Sequence, residues 1–219
     1  MRWMYIMYAG MSIQCYTRQK EGRGKVMMNE YSIVIAGVGG QGGLTLSRII
    51  ATAATLSGLS VKTGETLGMA QRGGSVQSYI KIGKKVRSPL IRKDSADALI
   101  GLEPLEAVRA LRYIGPQTKI ILDPEPVPTI FNLVGREDYP KIEDLLGKLM
   151  EKTRHLYIVQ ARREAEALNS RPSANMILLG KLFSINAFLP SDKIEEAIRL
   201  VLRRKADKAI AAYKRGATL

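Results

Sequence analysis

One cysteine, Cys15, and one histidine, His155, are all that the 219 residues offer of the side chains that most often bind soft metals. A disulfide within the chain is therefore excluded. An iron–sulfur cluster needs about four cysteine ligands, so this chain cannot hold one by itself. A zinc site of the usual cysteine and histidine kind has no ligand set, and a Ser-His-Asp triad cannot be argued around His155, which reads as a solvent-facing residue just before a strand. No apolar run approaches the roughly 18 to 20 residues of a membrane-spanning helix. Acidic residues are also scarce, 20 against 34 lysines and arginines, for a formal net charge of +14.

That charge is dispersed, with dense pieces at Lys81, Lys84, Lys85, Arg87, Arg92 and Lys93 and at Arg203, Arg204 and Lys205. Such clusters serve a nucleic acid, a solvated surface or a docking face for an acidic partner. Few aromatics accompany them, which argues against stacking on bases. Paired carboxylates such as Glu195 and Glu196 fall on the solvated side of an amphipathic helix, not in an acid/base pair. No residue presents itself as catalytic and none as a metal ligand.

Residues 1–29 differ from the rest: an apolar start broken by Arg2, Tyr5 and Tyr8, then a basic, glycine-containing stretch. The basic stretch follows the apolar one, the reverse of a signal peptide. The segment reads as a mis-set start, with translation beginning at Met27 or Met28, or as a short disordered leader, and Cys15 within it is a poor nucleophile candidate. Residues 30–219 read as one α/β domain.

Within that domain, residues 32–36 (SIVIA) form an apolar, β-branched run expected to be a buried strand. A glycine turn follows, then a helix over 44–57 closed by Gly58. Further strands are expected at 60–63, 77–82, 98–102, 119–122 and 156–160. A helix is expected to start at Pro104 and stop at Gly115 and Pro116, and residues 124–128, with three prolines, suit no regular element. The last third is helical, with one helix from Pro172 and another capped by Ser191. Strands interleaved with helices predict a Rossmann-like α/β fold: a largely parallel sheet, flanking helices and a helical C-terminal third.

Two motifs could carry chemistry. Gly37-Val38-Gly39-Gly40-Gln41-Gly42 matches G-x-G-x-x-G between a strand and a helix, the context in which backbone N–H groups and a helix N-terminus face an anion. A dinucleotide site would also want an acid at the end of the second strand, and the nearest, Glu65, lies beyond Gly64. A freestanding nucleotide-binding dehydrogenase, a phosphate site and a turn needed only for strand-to-helix packing all stay open. The second motif is Arg72 followed by Gly73 and Gly74: a forked donor beside bare backbone, or a solvated surface loop.

Together GVGGQG at 37–42 and ETLGMAQRGGSV at 65–76 resemble the gamma-type domain of 2-oxoacid:ferredoxin oxidoreductases. The variant GMAQRGG at 68–74 resembles indolepyruvate oxidoreductase beta subunits, where pyruvate-type relatives usually carry an acidic residue near the position of Gln71. Ser88, Pro89, Leu90, Ile91, Asn175 and Met176 also look like family positions, and the resemblance covers about residues 29–205. It implies a cytoplasmic heteromer with an alpha subunit carrying thiamine diphosphate, magnesium and [4Fe–4S] clusters, oxidising aryl pyruvates to aryl-acyl-CoA and reducing ferredoxin. This chain would hold none of those cofactors, touch no membrane and be inactive alone. The positions to watch are Gly37, Gly39, Gly40, Gln41, Gly42, Glu65, Arg72, Gly73 and Gly74, expected to gather at the C-terminal edge of the sheet and hold an anion, either the CoA phosphates or the substrate carboxylate, or else to meet the alpha subunit.

Overall fold

The computed structural model describes residues 30–67, 74–128 and 138–219. The expected leader, Arg72 and Gly73 lie outside the described residues. The described residues form a six-stranded sheet in the order β2-β3-β1-β4-β5-β6, built from β1 (Glu30–Val38), β2 (Ser60–Leu67), β3 (Ser75–Gly83), β4 (Ala96–Gly101), β5 (Ile114–Leu122) and β6 (Leu156–Ile158). The pairs β1–β4, β4–β5 and β5–β6 are parallel, while β3 runs antiparallel to both β1 and β2. The largely parallel sheet expected from the sequence is present, with β3 the single reversed strand among those described.

β1 is apolar on both faces because both are covered. Ile33 and Ile35 turn toward a core shared with α1 (Gly43–Leu56), α5 (Ala174–Ile185), α6 (Ser191–Leu202) and α7 (Ala206–Thr218). Val34 and Ala36 turn the other way, toward a smaller core with α2 (Pro104–Arg109), α3 (Ile142–Lys152) and Ile91. A short helix, α4 (Ala161–Ala167), precedes the helical C-terminal third. Gly58 ends α1 as expected: with φ at +73°, it donates to the Thr55 carbonyl while Leu59 donates to that of Ala54, a Schellman closure.

Four expectations are corrected. β2 runs through Gly64 instead of stopping before it. Pro89 packs where a side chain would stand, 3.1 Å from the position of a Cβ at Gly64, so this glycine makes room inside a strand. Gly115 and Pro116 do not end α2, whose C-cap is Ala110. They lie in β5, where the register against β4 shifts between Ala96 and Ala98. There Thr118 Oγ accepts from the Gly115 N–H at 2.9 Å and donates to the Ala96 carbonyl at 2.6 Å. Ser191 does not cap α6: Pro190 holds the N-cap position, and the serine hydroxyl pairs with that of Tyr213 at 3.3 Å. Finally, α3 occupies a stretch for which no helix was expected.

Candidate functional site

β1 delivers the glycine turn to the C-terminal edge of the sheet. The turn is held by its own residues. Gln41 Oε1 accepts from the Val38 N–H at 2.6 Å, and Gln41 Nε2 donates to the Leu102 carbonyl at 2.8 Å, just past the end of β4. The Gln41 side chain is therefore committed to bracing the loop, and a Cβ at Gly37 would stand 2.8 Å from its Oε1. Gly42 has φ of +81° and serves as the N-cap of α1. Its carbonyl accepts from Leu46 N–H and from Asn175 Nδ2, the latter at 3.1 Å, joining the start of α1 to the start of α5. Neither helix has a side-chain cap or an acidic residue in its first turn.

A cavity of about 520 Å³ opens between these elements. Its lining includes Gly40, Gln41, Gly42 and Thr45 on one side and Arg171, Ser173, Ala174 and Asn175 on the other, with Asp123, Arg162 and Lys205 completing the polar groups. Asp123, at the end of β5, is only 2% exposed. Its Oδ2 accepts from the backbone N–H of Arg162 and lies 3.3 Å from Arg162 Nε, while its Oδ1 accepts from the Glu125 N–H. Burial pushes the Asp123 carboxyl up to about 6 against the opposing pull of the Arg162 guanidinium. Arg162 also donates to the carbonyls of Leu102 and Glu125, at 3.2 and 2.6 Å, so it staples the ends of β4 and β5. Arg171 is shared with Glu125 and Glu166. Lys205 has no ion-pair partner among the described residues.

Of the residues singled out by sequence, Gly40, Gln41 and Gly42 line this cavity, Gly39 belongs to the same turn, and Gly37 lies just before it as the penultimate residue of β1, paired with Val76. Gly74 joins them, its carbonyl accepting from the Gly39 N–H at 2.9 Å. Glu65 does not. It is exposed on the edge strand β2 and paired with Ser78, which stands opposite Ile35 near the middle of β1. With β3 between them, Glu65 is two strand spacings from β1, about 10 Å. A ribose-binding acid cannot reach the glycine turn from there, which removes the geometric basis of the dinucleotide reading. Asp123, Arg162, Arg171 and Lys205 were not expected at the site; Asp123 carried a signal, a carboxylate directly after an apolar strand.

A second buried group of polar side chains is structural. Glu103 accepts from the Glu106 N–H at 2.8 Å, capping α2, and from the Val127 N–H and the Tyr139 hydroxyl. Glu106, its carboxyl raised by burial, binds the Ser75 hydroxyl and Arg109 and so fastens the start of β3 to α2. Among the described residues no group of three or more histidine, cysteine, aspartate or glutamate side chains could hold a metal ion, and no helix is long and apolar enough to cross a membrane.

The chain has known relatives in sequence and in fold. The indolepyruvate oxidoreductase subunit IorB of Archaeoglobus fulgidus is 40% identical over 187 residues, covering 84% of this chain and 92% of that protein. Its namesake from Pyrococcus horikoshii is 33% identical over 181 residues, 82% of this chain and 90% of that one. Among solved structures, pyruvate oxidoreductase subunit PORC of Thermotoga maritima superposes with a TM-score of 0.64 at 19% identity, over 87% of this chain and 97% of that one. The 2-oxoglutarate:ferredoxin oxidoreductase of Magnetococcus marinus, solved with 2-oxoglutarate, coenzyme A and succinyl-CoA, superposes with a TM-score of 0.66 at 20% identity; the match covers 87% of this chain but only 31% of that one. Residues 32–219 match the family described as pyruvate ferredoxin/flavodoxin oxidoreductase, and it is to this family that the chain belongs.

Proposed function

We propose that the chain is the beta subunit of a cytoplasmic indolepyruvate:ferredoxin oxidoreductase. It works with an alpha subunit that carries thiamine diphosphate, magnesium and [4Fe–4S] clusters, oxidises aryl pyruvates to aryl-acyl-CoA, passes electrons to ferredoxin and is inactive alone. The two relatives named as indolepyruvate oxidoreductase subunits support the substrate class. The observation that carries this chain's own part is the cavity beside the glycine turn, which two uncapped helix starts enter and where Lys205 has no carboxylate partner among the described residues. Backbone N–H groups at a helix start and a lysine together suit a phosphate or carboxylate. The ligand is then the CoA phosphates or the substrate carboxylate, with Arg72, beside Gly73 and Gly74, as a second charged donor. Arginine stays charged at any working pH, so its role is to bind and orient, not to carry a proton.

The test is the CoA and aryl-pyruvate dependence of the assembled enzyme with Arg72→Ala, Arg72→Lys and Lys205→Ala. Loss of a charged hydrogen bond costs about 1.5 to 3 kcal/mol, or roughly ten- to a hundredfold in binding. Arg72→Lys keeps the charge but loses the fork and should also weaken binding. Normal assembly with both dependences unchanged in all three variants would refute the anion site. Failed assembly, with normal ligand constants in the residual complex, would make the loop an interface element instead.

A further inference from the structure

Leu90 is 74% exposed, the most of any large hydrophobic side chain among the described residues. Its surroundings are anchored. The buried Val86 donates its N–H to Ser60 Oγ at 3.3 Å, and the Leu90 N–H is bound by Ser88 Oγ at 3.2 Å. Pro89 sits on Gly64 of β2, and Ile91 is buried in the smaller core. Fixed contacts on either side thus hold Leu90 out into solvent.

Flanking it in sequence are Lys84, Lys85, Arg87, Arg92 and Lys93, all exposed, with no acidic residue between positions 84 and 93. None of the five has an ion-pair partner among the described residues, although Lys81 just before them pairs with Glu30 and Asp94 just after them pairs with Lys152. Five like charges in one segment repel one another, and an acidic surface laid against them relieves that repulsion. An exposed apolar side chain in a segment of unpaired charges has the composition of a protein interface, apolar contact with polar surroundings. A nucleic acid offers no socket for a leucine, and the segment has no aromatic residue to stack on bases.

The segment also lies away from the cavity. Its Ile91 packs in the smaller core and Pro89 sits on Gly64, whereas the cavity is lined by Met176, Leu178 and Ala209 of the larger core and by none of residues 84–93. We propose that residues 84–93 are the docking strip for an acidic surface of the catalytic partner chain, with Leu90 entering an apolar socket and the five cations facing carboxylates. This rests on the two-subunit reading above and adds where the partner sits: on the smaller-core side of the sheet, beside Gly64 of β2.

The test measures affinity of the full chain for the partner at low and high salt, for the wild type, Leu90→Asp, the double variant Lys84→Glu/Lys85→Glu, and Lys148→Glu on α3 as a control of equal charge type. Unfolding midpoints check that each variant is folded. Expected are a roughly ten- to hundredfold weaker complex for the double variant at low salt, narrowing at high salt, and a comparable loss for Leu90→Asp at both. CoA and aryl-pyruvate constants of whatever complex forms should match the wild type. If the wild type binds the partner and both strip variants bind as tightly as Lys148→Glu, the strip is overturned while the two-subunit reading stands. If the wild type itself fails to bind, the two-subunit reading falls and the strip with it. Salt-steep DNA binding lost in the double variant, with partner affinity unchanged, would also overturn the proposal and assign the strip to nucleic acid.

Discussion

The same substitution, glycine to alanine, should have opposite signs at two helical positions. In α5, a Cβ on Gly180 would stand 2.0 Å from the Tyr213 carbonyl oxygen and 2.8 Å from the Ala217 nitrogen, both backbone atoms of α7. Gly216 returns the contact, 2.0 Å from the Ile177 carbonyl oxygen. No side chain can step aside, so regaining an ordinary contact of about 3.4 Å means parting the helices by more than 1 Å. That opens space around Ile177, Ala209 and Ala212, all at most 1% exposed. Overpacking of this kind costs about 1 to 3 kcal/mol and the lost packing adds to it, against a gain of about 1 kcal/mol in helix propensity. We expect Gly180→Ala to destabilise by about 2 kcal/mol or more, a fall in Tm of roughly 4 to 8 °C for a domain this size. In α3, a Cβ on Gly147 would meet nothing within 4 Å, so only the propensity gain remains and Gly147→Ala should stabilise by about 0.5 to 1 kcal/mol. Urea and thermal unfolding of the full chain measure both. A Gly180→Ala variant as stable as the wild type would refute the close helix crossing on which the position of α5 at the cavity depends.

Asp123 should leave a signature in the pH dependence of stability. Because burial raises its carboxyl to about 6 from an ordinary 3.8, the folded state binds this proton more tightly than the unfolded chain. The resulting stabilisation is complete below about pH 4 and is lost as pH rises through about 6, at most about 3 kcal/mol. Asp123→Asn should remove that slope, and urea unfolding of the two proteins across this range should show their difference changing with pH; a constant difference would contradict the assignment. Gly42→Ala forces a side chain into φ of +81° and places its Cβ 2.5 Å from Asn175 Nδ2. Strain of about 1 to 2 kcal/mol and loss of one hydrogen bond of about 1 kcal/mol should lower stability by about 2 to 3 kcal/mol. Asn175→Ala, which loses only the bond, should lower it by less, and equal losses on urea unfolding would remove the case for strain at Gly42.

Where the chain punctuates itself locally, the fold could be read from sequence. The apolar run of β1, the glycine turn after it and Gly58 at the end of α1 each depend on neighbours within a few residues. Gly64 misled because its reason is Pro89, 25 positions further on. Gly115 and Pro116 misled similarly, since a turn and a strand irregularity use the same residues and the deciding contact is with Ala96. α3 has a legible apolar spacing in Ile142, Leu145, Leu146 and Leu149, so its helix is written in local sequence. At the site, the glycine turn was visible as a motif. Asp123, Arg162, Arg171 and Lys205 come from four separate stretches of chain, and only the strand order and the packing of the last helices bring them to one edge.

The reversed strand β3 explains why a motif usually read as nucleotide-binding says less here. In a sheet where β2 lies directly beside β1, an acid at the end of β2 is within reach of a ligand on the glycine turn. Inserting β3 moves β2 to the edge and takes Glu65 with it. The glycines are still required, but by the protein's own contacts. Gly37 leaves room for the Gln41 brace, and Gly42 for Asn175 at the left-handed entry to α1. These two positions are thus accounted for by packing before any ligand is considered. Ligand chemistry has to be read from what faces the turn across the cavity, where Arg162 is held by Asp123 and Glu125, Arg171 by Glu125 and Glu166, and Lys205 has no ion-pair partner among the described residues. That lysine is the group on which the proposed anion site rests, and the strand insertion disfavours a ribose.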